Sequence, residues 1–191
     1  MNIDSPLREL GPIDNSELSD AIMSLDESVW KENLTRQEEF EVHRATESVV
    51  MYFVDLDQWP NVEVTKESGF KHLSNVALPL MNDIISRCYQ PGGTVIRAMA
   101  AKLLAGKKFI RHWDKHPSFH CGHRIHVPIT TNPRVRFMID GQPYRFKIGE
   151  AYEINNQLHH SVMNKGNEDR ITFIFDYVPK EEIEKLSARS V

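Results

Sequence analysis

Apolar residues recur at helical spacing early in the chain and alternate with polar ones over most of the remainder. Leu18, Ile22 and Leu25 share one face behind Asn15 or Ser16 as cap, with Glu17 and Asp20 near the positive helix end. Asp26 starts another short turn running to Trp30. Leu80, Met81, Ile84, Ile85 and Cys88 form the clearest stripe and predict a helix over 77–89. Pro79 then sits in the first turn, where a missing N–H costs nothing, and Gln90-Pro91-Gly92-Gly93 ends the helix.

The remaining segments favour strands. SVVMYFVD, over 48–55, is rich in β-branched and aromatic residues, whereas 56–71 reads as a loop in which NVEVTK alternates like a short strand. TVIRAMAAKLL, KKFIRHWD, HRIHVPI, EAYEIN, HHSVMN and RITFIFDYV come next. RVRFMI and QPYRF flank Asp140-Gly141, a pair suited to a type I′ hairpin turn. The first fifteen residues are polar, carry Pro6 and Pro12, and are expected to wrap the surface. A short exposed helix is expected after Pro179. Seven or eight strands behind a helical beginning predict a mainly β domain with α, a double-sheet jelly roll backed by N-terminal helices. Its parts are a helical region over 1–45, the jelly roll over 46–178 with the supporting helix 77–89, and a tail over 179–191.

Composition narrows the setting without changing that picture. A chain of 191 residues, 40% hydrophobic and 26% charged, has the size and make-up of one globular domain. Its formal net charge of −4 gives no reason to expect nucleic acid or a membrane as partner. MNIDSPLREL has neither the basic nor the apolar region of a signal peptide, and no apolar run is long enough to span a bilayer. Cys88 and Cys121 are too few for a disulfide framework, so a cytoplasmic setting is expected.

Candidate chemistry concentrates in the second half. His112 and Asp114 lie two apart on an extended segment and so point to one face. His160, from a distant strand, would complete two imidazoles and one carboxylate, the set that holds non-haem Fe(II) with coordination positions left open. Arg170 adds a guanidinium whose fork suits a carboxylate. His-x-Asp alone is common by chance; the company of His160 and Arg170 gives it weight. His159 competes with His160, but adjacent strand residues cannot both face one ion. Arg124 and His126 alternate with Ile125 and Val127 and would line the same cavity, whereas Asn155 and Asn156 are as easily turn formers. His116, His120, Cys121 and His123 form a second cluster. Its spacing lacks the clean pairing of a structural zinc site, and a loop beside the cavity is the better reading. Arg111, Lys115 and Arg145 are basic groups that would meet an acidic substrate or simply water.

The stretches RAMAAKLLAGKKFIRHWD, HRIHVPITTNPRVRFMIDG and GEAYEINNQLHHSVMNKGNEDRITFIFD, from Arg97 to Tyr177, resemble the aspartyl/asparaginyl β-hydroxylase family. HRATESVVMYF, from His43 to Phe53, is a weaker echo. The resemblance implies a double-stranded β-helix, related to the cupins, that binds Fe(II), takes 2-oxoglutarate as co-substrate and consumes O2. Carried over by position, it implies His112, Asp114 and His160 as iron ligands and Arg170 as partner of the far carboxylate of 2-oxoglutarate. It also implies Arg124 and His126 as contacts to the co-substrate near the metal. The animal enzymes for which the family is named lack the carboxylate of the His-x-Asp motif. Retention of Asp114 aligns this chain with the bacterial and small-molecule-hydroxylase branch. A hydroxyl to assist Arg170 is not evident, because the strand before His112 offers only Ala100 and Ala101. The implied activity is hydroxylation of an amino acid, an aspartyl/asparaginyl peptide or a related polar metabolite, with release of succinate and CO2. A cupin-like metalloprotein without 2-oxoglutarate is the alternative, and Arg170 argues against it. A non-enzymatic binding module is disfavoured by the intact ligand set, and a halogenase by Asp114.

Overall fold

The final strand, RITFIFDYV, shows how the fold divides its labour. Ile171, Phe173, Phe175 and Tyr177 enter the main apolar core, while Arg170, Thr172, Ile174 and Asp176 occupy the opposite face. A computed structural model describes residues 3–32 and 45–189. His43 and Arg44, at the head of the HRATESVVMYF stretch, and part of the predicted 1–45 region lie outside the described residues.

In chain order the elements are β1 (Leu7–Pro12), α1 (Ser16–Met23), α2 (Glu27–Trp30), β2 (Thr46–Val54), β3 (Val64–Lys66), α3 (Phe70–Cys88), β4 (Thr94–Leu103) and β5 (Lys108–His112). They continue with β6 (His123–Pro128), β7 (Val135–Ile139), β8 (Gln142–Tyr144), β9 (Glu150–Ile154), β10 (His160–Asn164), β11 (Arg170–Val178) and α4 (Lys180–Arg189). The larger sheet has the order β1-β9-β6-β11-β4-β2-β3 and the smaller one β5-β10-β7-β8. Leu103, Tyr152 and Ile154 of the first pack with Phe137, Ile139 and Val162 of the second, so the two sheets face each other as a jelly roll rather than a closed barrel. On the outer face of the larger sheet, Leu73, Ala77, Leu80, Met81 and Ile84 of α3 join Leu18 and Ile22 of α1 over Val49, Met51, Ala98, Ala100, Ile125 and Phe173. Among the described residues, no helix is long and apolar enough to cross a membrane.

Three expectations change. The helix predicted over 77–89 begins at Phe70, which places Pro79 in its interior. Pro79 is exposed, so its ring and missing donor fall away from the sheet, and the stripe extending back to Leu73 outweighs its cost. The stretch expected to wrap the surface contains β1, an edge strand paired antiparallel with β9 across a register shift between Glu9 and Gly11. Asn15 does not cap α1 with its side chain: buried Asn15 donates to the Pro128 carbonyl at 3.0 Å, and Asp14 Oδ1 instead accepts from the Ser16 N–H at 3.1 Å. The predicted hairpin is present, with Asp140 at φ 48° and Gly141 at φ 78°, both in the left-handed region that a type I′ turn needs.

Gly69 sets how closely α3 meets the sheet. Its N–H donates to the Val50 carbonyl at 2.8 Å, and a Cβ here would stand 2.5 Å from that oxygen and 2.8 Å from Val49 Cγ1. Gly69→Ala is expected to cost roughly 1–3 kcal/mol through overpacking, read as a lower urea midpoint. An unchanged midpoint would mean that the helix start yields without cost.

Candidate active site

Register brings the two histidines together. His160 in β10 lies directly opposite His112 in β5, with ring centroids 4.3 Å apart. Asp114 lies just past the end of β5, where its N–H donates to the Asn156 carbonyl at 3.1 Å and its own carbonyl accepts from Gln157 Nε2 at 3.2 Å. Possible ligand atoms of His112, Asp114 and His160 all lie within 4.8 Å of one another, and among the described residues this is the one such group of three. His159 is exposed and turned away.

The donor set fits a divalent metal. His112 Nδ1 meets the Ile110 carbonyl at 2.9 Å and His160 Nδ1 meets the Leu158 carbonyl at 3.0 Å. Those carbonyls hold the protons on Nδ1 and leave both Nε2 lone pairs for an ion. Burial brings the His160 pKa down to about 4, even against the pull of Asp114, so its imidazole is neutral as a ligand must be. Asp114 Oδ1 lies 3.7 Å from His112 Nε2, while its Oδ2 faces Arg124 Nη1 at 3.1 Å. One carboxylate oxygen therefore faces the histidines and the other faces a guanidinium.

Arg124 is held from behind by a residue the sequence pattern did not single out. Asp176 accepts from Arg124 Nε and Nη2, both at 2.9 Å, and from Arg97 Nη1 at 3.2 Å. Burial alone would raise the Asp176 pKa, but the two guanidiniums outweigh it and hold the carboxyl below its ordinary range. In RITFIFDYV alone Asp176 has the look of a solvent-facing residue; its signal was that it shares the parity of Arg170 and Thr172.

The opposite end of the cavity is differently made. Arg170 is buried and forms no ion pair with another described residue; burial brings its pKa down to about 10. Among the buried polar atoms without a protein partner are Thr172 Oγ1, Ser48 Oγ and both ring nitrogens of His126. Thr172 and Ser48 are the cross-strand partners of Ala101 on either side, and His126 is opposite Ile174. Hydroxyls beside Ala101 therefore come from the neighbouring strands. Burial, then the charges of Arg170 and Arg124, push the His126 pKa well below the usual imidazole value. A cavity of about 710 Å³ is lined by Ser48, His112, Asp114, Arg124, His126, His160 and Arg170.

The remaining candidates separate cleanly. Lys115 and His116 line this cavity, Arg145 lines a second cavity of about 460 Å³ shared with Arg170, and Arg111 is exposed. His123 is drawn to the other side of β6, where its Nδ1 meets buried Glu153. Cys121 Sγ points to the Pro117 carbonyl, so the loop cluster does not converge on an ion. Asn155 Oδ1 accepts from the Gln157 N–H and forms a turn, whereas Asn156 is buried beside Asp114.

A jelly roll that presents two imidazoles and a carboxylate to one point, with an arginine deeper in the cavity, has the organisation of a non-haem oxygenase of the hydroxylating kind. The chain belongs to the aspartyl/asparaginyl β-hydroxylase family, whose model matches residues 17–179, and is an enzyme of the 2-oxoglutarate-dependent hydroxylase class. No curated protein matches the chain. Among solved structures it is similar to a prolyl hydroxylase from Trichoplax adhaerens, in complex with a hypoxia-inducible-factor peptide fragment. That match has a TM-score of 0.60 and 11% identity and covers 95% of this chain and 87% of the other. The nickel complex of the non-haem monooxygenase ThoJ gives a TM-score of 0.57 at 13% identity, over 91% and 73% of the two chains. A 2OG-Fe(II) oxygenase-family oxidoreductase from Burkholderia pseudomallei gives 0.52 at 9% identity, over 70% and 67%. At these identities the likeness concerns the fold.

Proposed function

We propose that the protein hydroxylates an amino acid, an aspartyl/asparaginyl peptide or a related polar metabolite, using Fe(II), 2-oxoglutarate and O2 and releasing succinate and CO2. The observation that carries this reading is Arg170, without an ion-pair partner among the described residues, lining one cavity with the His112, Asp114 and His160 cluster and with the unpartnered polar atoms of Ser48 and His126. Buried polar groups without partners are costly, and an acceptor-rich dicarboxylate would satisfy them. Arg170 would hold the far carboxylate with Thr172 and Ser48 beside it, and His126 would donate nearer the ligands. Arg124 would hold the outer oxygen of Asp114, so that this carboxylate presents one oxygen to the metal. His112, Asp114 and His160 would hold iron, which when bound supplies the centre where O2 is reduced as one oxygen enters the substrate C–H bond and the other enters succinate. A peptide substrate has a structural precedent in the Trichoplax enzyme, whose structure holds a peptide fragment.

The test is anaerobic addition of 2-oxoglutarate to the Fe(II)-loaded protein, watched for the visible charge-transfer band of the chelate. In wild type the band forms. In Arg170→Ala, loss of a buried charged pairing weakens 2-oxoglutarate by roughly 30- to 1,000-fold, with Fe(II) affinity little changed. Absence of the band with iron bound would refute the co-substrate assignment and favour a cupin-like metalloprotein.

A further inference from the structure

Arg170 belongs to two cavities. Besides the one that holds the metal ligands, it lines the second cavity of about 460 Å³, and among the described residues only Phe137 shares that position with it. These two side chains therefore stand between the cavities. Phe137 comes from β7 and Arg170 from the first position of β11, with the guanidinium carbon 5.8 Å from the ring centroid. The Phe137 ring lies parallel to that of His160, with centroids 6.4 Å apart, and also stacks on Phe146 of the second cavity at 4.7 Å.

The second cavity carries one sign of charge. Arg145 and Lys147 in its lining are exposed, whereas Arg170 is buried, and no aspartate or glutamate is among the described residues that line it. Glu150 stands 3.6 Å from Lys147, but Arg145 forms no ion pair with another described residue. Tyr144, Phe146 and Ile148 supply apolar wall. Cations set among low-dielectric walls focus their field and speed the arrival of an anion, while exposed cations add little to its final affinity. Such a lining suits passage better than retention. The main cavity mixes signs instead, with Glu47 and Asp114 in its lining.

Arg170 has the properties of a gate. No carboxylate among the described residues holds it, so its guanidinium can turn toward either cavity without breaking an ion pair. A substrate seated over the metal ligands would fill the main cavity, and an opening behind Arg170 frees exchange at that arginine from the coming and going of substrate.

We propose that the second cavity is a port through which a small dicarboxylate reaches and leaves Arg170 from behind Phe137, with Arg145 steering it inward. Naming the dicarboxylate as 2-oxoglutarate rests on the oxygenase reading; the port rests on the lining and on the shared position of Arg170 and Phe137.

The experiment is anaerobic stopped-flow on the Fe(II)-loaded protein. The visible band of the chelate reports association of 2-oxoglutarate, and mixing with excess Zn(II)-loaded protein as a trap reports its dissociation. Ile148 is exposed at the cavity edge and can be enlarged without entering the core. Ile148→Trp slows association and dissociation together, by roughly tenfold each, and leaves Kd unchanged, because an obstruction raises a barrier without touching the bound state. Arg145→Glu slows association by roughly tenfold or more at low salt, and the difference narrows at high salt. Fe(II) affinity is unchanged in both variants. Wild-type rates in both, or in Ile148→Trp a change confined to one of the two rates, would overturn the port and leave the co-substrate assignment intact. No chelate band in iron-loaded wild type would instead refute the oxygenase reading and remove the port with it.

Discussion

Alanine at His160 abolishes turnover and weakens Fe(II) by more than the roughly 10–100-fold that loss of an outer-shell partner costs. The imidazole is one of two that face a common point, and its removal leaves His112 and Asp114 without a third ligand. The fold itself has little to lose. His160 Nδ1 bonds only the nearby Leu158 carbonyl, and its β10 backbone stays paired with β7. Circular dichroism and the melting temperature of the metal-free protein therefore remain close to wild type, and the stabilisation that Fe(II) confers on wild type disappears. His159→Ala is the control: the side chain is exposed, and both metal binding and activity persist. Wild-type turnover in His160→Ala, or its loss in His159→Ala, would overturn the ligand assignment.

Alanine at Asp176 acts on stability and metal together. Its carboxylate pairs with two buried guanidiniums, and removing one member of such a group costs about 3–5 kcal/mol because the remaining charges stay buried. For a domain of this size that is a fall in melting temperature of roughly 6–20 °C. Since folding lowers the Asp176 pKa from 3.8, its contribution is present above about pH 4 and is lost as pH falls through the lower folded value. Arg124, released from Asp176, no longer holds the outer oxygen of Asp114, and Fe(II) affinity falls by about 10–100-fold. Asp176→Asn keeps the shape without the charge and lies between. Scanning calorimetry and metal titration read the two effects separately; loss of stability with unchanged metal affinity would sever the proposed link to Asp114.

The parts legible in the sequence were those whose local pattern has a single explanation. Asp140-Gly141 between alternating strands specified its turn, and the parity of RITFIFDYV separated Arg170 and Thr172 from Phe173 and Phe175. His112, Asp114 and His160 were legible as a set, although only the β5–β10 register makes them neighbours. The features that escaped depended on partners distant in sequence. Asp176, Arg97 and Glu153 have the charge of surface residues, and nothing local reveals that each meets an opposite charge or a histidine inside the protein. β1 escaped because Leu10 is its one buried residue and an edge strand needs only its backbone to pair. The early start of α3 escaped because Pro79 imitates a first turn. Ser48 escaped because it stands beside Ala101 on a neighbouring strand, far away in sequence.

The parity of β11 has a practical consequence for redesign. Replacing Ile171, Phe173 or Phe175 alters the packing under the helices and should tune stability, whereas replacing Arg170 alters the cavity wall and replacing Asp176 alters the support of Arg124. One strand therefore offers two separate sets of positions, one read in stability and the other in the site.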